Sequence, residues 1–262
     1  MALKLAINGV LGRMGRAIAR LAADAGHTVT AAIDVTQHGQ PLAALLGDAR
    51  QKAVVMPVYP GGADVLIDFS SPAGFAARVH ECMNLRTALV SGTTGLEAAQ
   101  QQLIPVAAQK IPFLWAPNFS LGVNLLLSLV RQAAKALPEG YDIEIIETHH
   151  RRKEDAPSGT AIALLQAACT GRGLDPKTAV RHGREGRPGA RTPREVGMHA
   201  VRGGDVVGDH TVLLAAEGER VELTHKASTR DTFAAGSIKA AEWLAGKPAG
   251  AYGMAQVLGL QG

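Results

Sequence analysis

Residues 3–34, LKLAINGVLGRMGRAIARLAADAGHTVTAAID, decide the fold. Leu3 to Asn8 is a short apolar run of strand character, and a glycine turn follows it directly. An Arg/Ala/Leu helix then runs toward Gly26, and Thr28 to Asp34 reads as a second strand. Gly9, Gly12 and Gly15 between strand and helix have separate physical uses. The first permits a tight turn, the second lets backbone N–H groups reach a ligand, and the third lets helix and strand pack closely. The helix N-terminus adds donors and a favourable dipole for an anion. The spacing is GxxGxxG rather than the stricter GxGxxG, and in isolation it is weak evidence, since a purely structural turn can carry it too.

Asp34 strengthens the nucleotide reading. An acidic side chain about 20 residues on, at the end of the second strand, can accept hydrogen bonds from an adenosine ribose, although a cap or turn residue would look the same. The expected cofactor contacts here are Gly9, Val10, Leu11, Gly12, Arg13, Met14, Gly15 and Asp34. A 2′-phosphate would be repelled by Asp34 unless Arg13 or Arg16 compensates, so the expected cofactor is NADH with NADPH tolerated.

Outward from this unit the pattern repeats. Val65 to Phe69, Thr87 to Ser91 and Pro112 to Ala116 are continuous apolar strands, with helix-like stretches at Pro72 to Asn84 and Leu96 to Lys110. Such alternation predicts a parallel sheet covered on both faces. The strand ends DFSSP (68–72), SGTTG (91–95) and APNFS (116–120) carry small polar residues, where doubly wound sheets bind ligands. They add Gly92, Thr93, Thr94, Ala116, Pro117, Asn118 and Phe119 to the expected cofactor set. Leu121 to Leu137 is a long apolar helix, after which the character changes. Tyr141 to Thr148 alternates like a half-exposed strand. Thr160 to Thr170 reads as a helix, His199 to Val201, His210 to Ala216 and Arg220 to Lys226 as strands, and Thr232 to Leu244 as a closing helix. The expected architecture is α/β: a Rossmann-like doubly wound parallel sheet with a second, smaller α+β domain.

Composition narrows the class. Of 262 residues, 47% are hydrophobic and 19% charged, a globular balance. The formal charge of +4 concentrates in Arg151 to Lys153 and between Arg181 and Arg202. The second run reads either as a solvated loop or as something more specific. No aromatics interleave with the first run and no helix carries a basic stripe, which favours an anionic small molecule over nucleic acid. Cys82 and Cys169 have no CxxC or Cys/His companions, so neither a disulfide framework nor a zinc site is expected. No apolar stretch is long enough to span a bilayer and no signal peptide is visible, so no membrane partner and a cytoplasmic location are expected.

The chemistry concentrates in ETHHRRKEDAPSGTA, residues 147–161. Asp155 or Ser158 can cap a helix whose first-turn N–H groups, at Gly159 and Thr160, suit a carboxylate. His150 and Lys153 add charge to that anion site. As an isolated dipeptide, His149-His150 would equally suit two strand-end histidines facing water. HExxH-type metal spacing is absent, and no metal is expected.

This run closely resembles the ExHHxxKxDxPSGTA signature of the dihydrodipicolinate reductase family. GVLGRMGR (9–16), SGTTG (91–95), APNFSLGVN (116–124), RGGDVVGDH (202–210) and the SxRxxFAxGxxxAAxWL pattern from Ser228 are similar to that family as well, in the same order along the chain. The resemblance implies NAD(P)H-dependent reduction of a small cyclic dicarboxylate, 4-hydroxy-tetrahydrodipicolinate, on the route to lysine and diaminopimelate. It implies an acid/base role for His149, a proton-donating role for Lys153, and substrate binding by His150, Gly159 and Thr160. It also implies a dinucleotide domain of residues 1–119 plus 230–262, a substrate-binding and oligomerisation domain of residues 120–229, and a homotetramer. Some family members carry an arginine where this chain has Val35, which leaves the cofactor preference open. A semialdehyde or homoserine dehydrogenase shares the nucleotide crevice but gives no reason for HHRRK beside PSGTA. A non-catalytic dinucleotide sensor leaves the acid/base groups unexplained.

Overall fold

The computed structural model describes residues 1–260 of the chain. Residues 261 and 262, the end of the expected dinucleotide domain, lie outside the described residues. The elements follow in the order β1 (Lys4–Asn8), α1 (Arg13–Asp24), β2 (Thr28–Ile33), α2 (Leu42–Leu46), β3 (Val55–Met56), β4 (Val65–Asp68) and α3 (Pro72–Leu85). Then come β5 (Ala88–Ser91), α4 (Ala98–Gln101), α5 (Leu103–Ala108), β6 (Pro112–Trp115), α6 (Leu121–Ala136), β7 (Asp142–His149) and α7 (Gly159–Arg172). The chain closes with α8 (Pro176–Ala179), β8 (Val180–His182), β9 (Val196–Arg202), β10 (Gly208–Ala216), β11 (Glu219–Ala227), α9 (Asp231–Leu244), β12 (Gly250–Tyr252) and α10 (Met254–Val257).

Two compact units result, Met1–Leu121 with Asp231–Gly262, and Gly122–Arg230. The first holds a seven-stranded sheet in the order β12-β6-β5-β4-β1-β2-β3, with every neighbouring pair parallel. Its central strands are largely apolar because both faces are covered. Leu5, Ile7, Val65, Ile67, Val90 and Leu114 pack with Ile18 and Ala22 of α1 and with Ile238, Ala241 and Leu244 of α9. Ala6, Leu66, Leu89 and Phe113 face the other way, against Phe75, Val79 and Cys82 of α3. This is the doubly wound sheet expected from the strand–helix alternation. The stretch from Leu96 to Lys110 is not one helix: it breaks into α4 and α5. Pro105 is the cause, because its ring lacks an N–H and clashes with the carbonyl four residues earlier in a continuous helix.

The second unit is a mixed five-stranded sheet in the order β11-β10-β7-β9-β8. β7 runs parallel to β9 and antiparallel to β10. Ile143 and Ile145 of β7, Val196 and Met198 of β9, and Val212 and Leu214 of β10 form one apolar face beneath α6 and α7. The opposite face carries the alternate residues. There Arg184 and Arg191 lie 2.9 and 3.0 Å from Oε1 of Glu144, and Arg191 also reaches Asp142 at 2.7 Å. The 183–191 loop is therefore anchored along β7 by Arg184 and Arg191 near its two ends, while the residues between them are exposed. Burial pushes the Glu144 carboxyl up, but Arg184, His199 and Arg191 outweigh it and hold it at about 2.

Candidate active site

The glycine turn of the first unit does what its spacing demands. Gly9 has a φ of +74°, and a Cβ there would lie 2.5 Å from the Phe69 carbonyl oxygen. Gly15 is pressed against the turn: a Cβ would stand 2.1 Å from the Gly9 oxygen. Gly12 is the N-cap of α1, and no side chain caps that helix. The first-turn amides at Arg13 and Met14 thus have no side-chain acceptor of the capping kind, which fits an incoming pyrophosphate. Asp34 is half-buried and braces the turn, its Oδ2 accepting the Leu11 N–H at 3.0 Å. It is a turn residue, whose Oδ1 also accepts the Val35 N–H at 2.8 Å. The residues present therefore fit a dinucleotide. Arg16 is committed to the backbone carbonyls of Leu11 and Leu45, at 2.9 and 3.0 Å.

The other expected cofactor residues gather at the carboxyl ends of β4, β5 and β6. The fully buried Asp68, which the sequence reading left without a role, organises them. Its Oδ1 accepts from Asn8 Nδ2 at 2.7 Å and Ser70 Oγ at 2.6 Å; its Oδ2 accepts from Ser91 Oγ and Thr93 Oγ1, each at 2.8 Å. Four donors satisfy a buried carboxylate that would otherwise be costly. Thr93 is buried, and its hydroxyl is taken by Asp68 and by the Ser70 N–H. Thr94 and Pro117 are exposed, Asn118 is half-buried, and its Oδ1 accepts the Ser120 N–H at 2.8 Å. Gly92 accommodates the Phe69 ring, which would meet a Cβ at 2.2 Å. Phe119 is buried edge-on to Phe69, with ring centroids 5.3 Å apart, and Ala116 is buried beside Ser91, whose carbonyl accepts its N–H.

In the second unit, the residues expected from ETHHRRKEDAPSGTA lie together at the carboxyl end of β7 and the start of α7. Strand periodicity puts Glu147 and His149 on one face. Glu147 is fully buried, and its Oε2 lies 2.5 Å from Nδ1 of His149. Arg202, opposite His149 in the parallel register, forks onto Glu147 with both Nη atoms at 2.8 Å. The Ser158 N–H donates to Oε1 at 3.1 Å. Burial pushes the Glu147 carboxyl up, but the Arg202 fork, His149 and the Ser158 amide outweigh it and hold it below the ordinary carboxylate range.

Ser158, not Asp155, is the N-cap of α7: its Oγ accepts the Ala161 N–H at 3.1 Å. Gly159 and Thr160 then occupy the first turn, at the positive end of a helix that runs to Arg172. Ser158 Oγ also pairs with Nε2 of the buried His210 at 3.0 Å. Burial and the neighbouring His149 push His210 down to about 4, so it is neutral. Its ring stands edge-on to His149, with centroids 5.2 Å apart.

Lys153 is largely covered, and its Nζ lies 2.8 and 2.7 Å from the two carboxylate oxygens of Asp155. That pairing holds Asp155 below the usual carboxylate range. Asp155 is itself mostly exposed, so the ammonium is held by a partner that solvent or another anion can displace. His150 Nε2 lies 3.3 Å from Arg230, which can only donate, so Nε2 accepts and Nδ1 carries the proton. That Nδ1 is buried and has no partner among the described residues. Desolvation first, then Arg230 and Arg152, push the His150 pKa down, and it too is neutral.

An imidazole braced by a carboxylate, an ammonium, an unpaired imidazole N–H and a helix N-terminus can hold a dianion and donate a proton to it. The sequence reading placed these groups together but gave no role to Glu147, Arg202, Gly208, His210 or Arg230. Glu147 was legible in one respect, since it lies two residues before His149 on the same strand.

The chain is similar to known proteins along its whole length. A family model described as dihydrodipicolinate reductase, N-terminus, matches residues 3–119, and one described as dihydrodipicolinate reductase, C-terminus, matches residues 122–258. A 4-hydroxy-tetrahydrodipicolinate reductase of Thiobacillus denitrificans is 48% identical over 267 residues, covering 100% of both chains. One of an Anaeromyxobacter species is 47% identical over 260 residues, covering 97% of each. Among solved structures, a dipicolinate-bound dihydrodipicolinate reductase from Paenisporosarcina sp. TG-14 has a TM-score of 0.75 at 24% identity. That likeness of fold covers 97% of this chain and 98% of the other.

Proposed function

The chain belongs to the dihydrodipicolinate reductase family, and from that premise we propose that it reduces 4-hydroxy-tetrahydrodipicolinate to tetrahydrodipicolinate with loss of water, on the route to lysine and diaminopimelate. The observation that carries this reading is the grouping at the carboxyl end of β7. His149, Lys153, the N–H of His150 and the first turn of α7 give a small dicarboxylate both its anion partners and a proton source.

The cofactor, when bound, supplies the hydride. The residues of the chain do the rest. The first-turn amides at Gly159 and Thr160 and the Nδ1–H of His150 bind one carboxylate. Lys153 exchanges Asp155 for a substrate carboxylate, and its ammonium assists loss of the ring hydroxyl as water. His149 protonates the ring carbon adjacent to the one reduced, where hydride addition leaves enamine character. A positioned acid of this kind contributes roughly 10²- to 10⁴-fold in rate.

The cofactor-binding residues in this reading are Gly9 to Gly15, Asp34, Gly92 to Thr94 and Ala116 to Phe119. Asp34 supports NADH as the better cofactor with NADPH accepted, because a carboxylate at the ribose opposes a 2′-phosphate and Arg16 is already engaged. The assembly is a homotetramer formed through the second unit, whose edge strand β11 is exposed along most of its length. No helix among the described residues is long and apolar enough to cross a membrane, and the free thiols of Cys82 and Cys169 suit the reducing cytoplasm, where we place the enzyme.

A coupled assay tests the activity. NADH should be consumed with the condensation product of pyruvate and aspartate semialdehyde, and not with the semialdehyde alone. Consumption with the semialdehyde alone, or with neither, overturns the reading.

A further inference from the structure

We propose that Glu147 is a positioning residue for the reaction: held by Arg202 and Ser158, it fixes the tautomer and aim of His149 so that Nε2 delivers the proton. The inference rests on the reductase reading only in assigning that proton to a substrate carbon; the tautomer is a property of the folded chain alone.

A carboxylate with no solvent exposure is expensive unless its lone pairs are satisfied. Glu147 is satisfied in a directed way. Arg202 Nη2 and the Ser158 N–H take Oε1, while Arg202 Nη1 and His149 Nδ1 share Oε2. An ionised carboxylate only accepts, so Nδ1 of His149 must bear the proton and Nε2 is the nitrogen left for chemistry. The surroundings keep that nitrogen accessible. Gly208 lies beside it, and a Cβ built there would stand 2.9 Å from Nε2. The Gly203 N–H holds the His149 carbonyl at 2.9 Å, so the backbone under the imidazole is tied to the end of β9.

Charge points the same way. Arg202 faces His149 from β9, His210 faces it from β10, and Lys153 and His150 lie on the loop that follows β7. Among them the permanent charges, on Arg202 and Lys153, are positive. Glu147 is the buried anion in direct contact with the ring. In the step, the Nε2–H bond breaks, its electron pair stays on nitrogen, and the proton bonds to the enamine carbon. His149 is left neutral with its Nδ1–H still donated to Glu147. Arg202, Gly203, Gly208 and His210 all belong to the RGGDVVGDH stretch, so that segment serves as the frame of the acid rather than as a separate site.

The test uses the full chain labelled with ¹⁵N in histidine, with His149 assigned by the signal lost in His149→Gln. The wild type should show the Nδ1–H tautomer at neutral pH. In Glu147→Gln, Arg202 and the Ser158 amide claim the single amide oxygen, which turns the amide NH₂ toward His149. The Nε2–H tautomer should then appear. kcat should fall roughly 10²-fold or more while KM and NADH affinity move by less than about threefold, because the acid is misaligned while binding is retained. Lys153→Ala should lower kcat without changing the tautomer. A wild type with an unprotonated Nδ1 overturns the proposal even if Glu147→Gln does not fold. So does a folded Glu147→Gln with near-normal kcat. If the wild type shows the Nδ1–H tautomer yet does not turn over the substrate, the reductase reading fails and the positioning of His149 stands.

Discussion

Gly208 lies so close to His149 that a single added methyl would stand 2.9 Å from Nε2, against the nitrogen proposed to deliver the proton. Atoms at that distance cannot both stay in place. Gly208→Ala should therefore fold, since it lies at a strand start with no left-handed backbone requirement, yet displace the imidazole. The expected result is a kcat lower by roughly 10²-fold, the range in which a misplaced acid falls, with an unchanged melting temperature to within a few degrees. Steady-state kinetics beside a thermal melt check both halves.

Lys153 separates binding from chemistry. Its ammonium is held by Asp155, within the second unit. Lys153→Ala should cut kcat by roughly 10²-fold or more and leave NADH affinity, read by fluorescence titration, nearly intact. Normal turnover in that variant removes the lysine from the mechanism.

Asp34 both braces the turn at Leu11 and presents the charge that a 2′-phosphate would meet. Asp34→Ser keeps a short polar side chain and removes that charge. The ratio of kcat/KM for NADPH over NADH should rise, on the order of tenfold, since one unit charge at partly solvated range is worth about 1 kcal/mol or more. Titrating both cofactors in the coupled assay measures it.

Stability should depend on pH through three histidines, of which His210 is buried and His150 and His225 are partly so. His210 is held down at about 4, and His150 and His225 are also lowered, burial being the first cause in each case. An unfolded histidine takes up its proton near pH 6.5, whereas these do so only at lower pH when folded. The unfolded state therefore binds more protons as the pH falls below about 6.5, and the folded state loses stability until pH reaches about 4. His210 alone contributes up to roughly 3 kcal/mol of that loss. Urea unfolding at pH 7 and at pH 5 should show the decline, and His210→Gln should flatten it. A slope identical in the variant assigns the effect elsewhere.

What the sequence made legible was local. Gly9, Gly12 and Gly15 announced a strand–turn–helix because three glycines at one element boundary have few other uses. Ser158 could be read as a cap because capping depends only on the residues that follow it. Pro105 was visible and still misread, since the apolar spacing on both sides of it suits one helix. The roles of Glu147, Asp68, Arg202 and Gly208 depend on pairing between distant strands. His149 meets Arg202 through the register of β7 on β9, a separation that no local periodicity encodes. The contacts of Arg184 and Arg191 stay open in the sequence for the same reason, as their acids lie on β7 and beyond.

The first unit closes over an interruption. Its chain departs at Leu121 and returns at Asp231, and only then does α9 bring Ile238, Ala241 and Leu244 to the face shared by Leu5, Ile7 and Ile18. β12 then adds the outermost strand beside β6. On the ribosome, the nascent amino-terminal segment accordingly emerges with that face of its sheet covered only in part, by α1, and the remainder must wait for the whole inserted unit to be made.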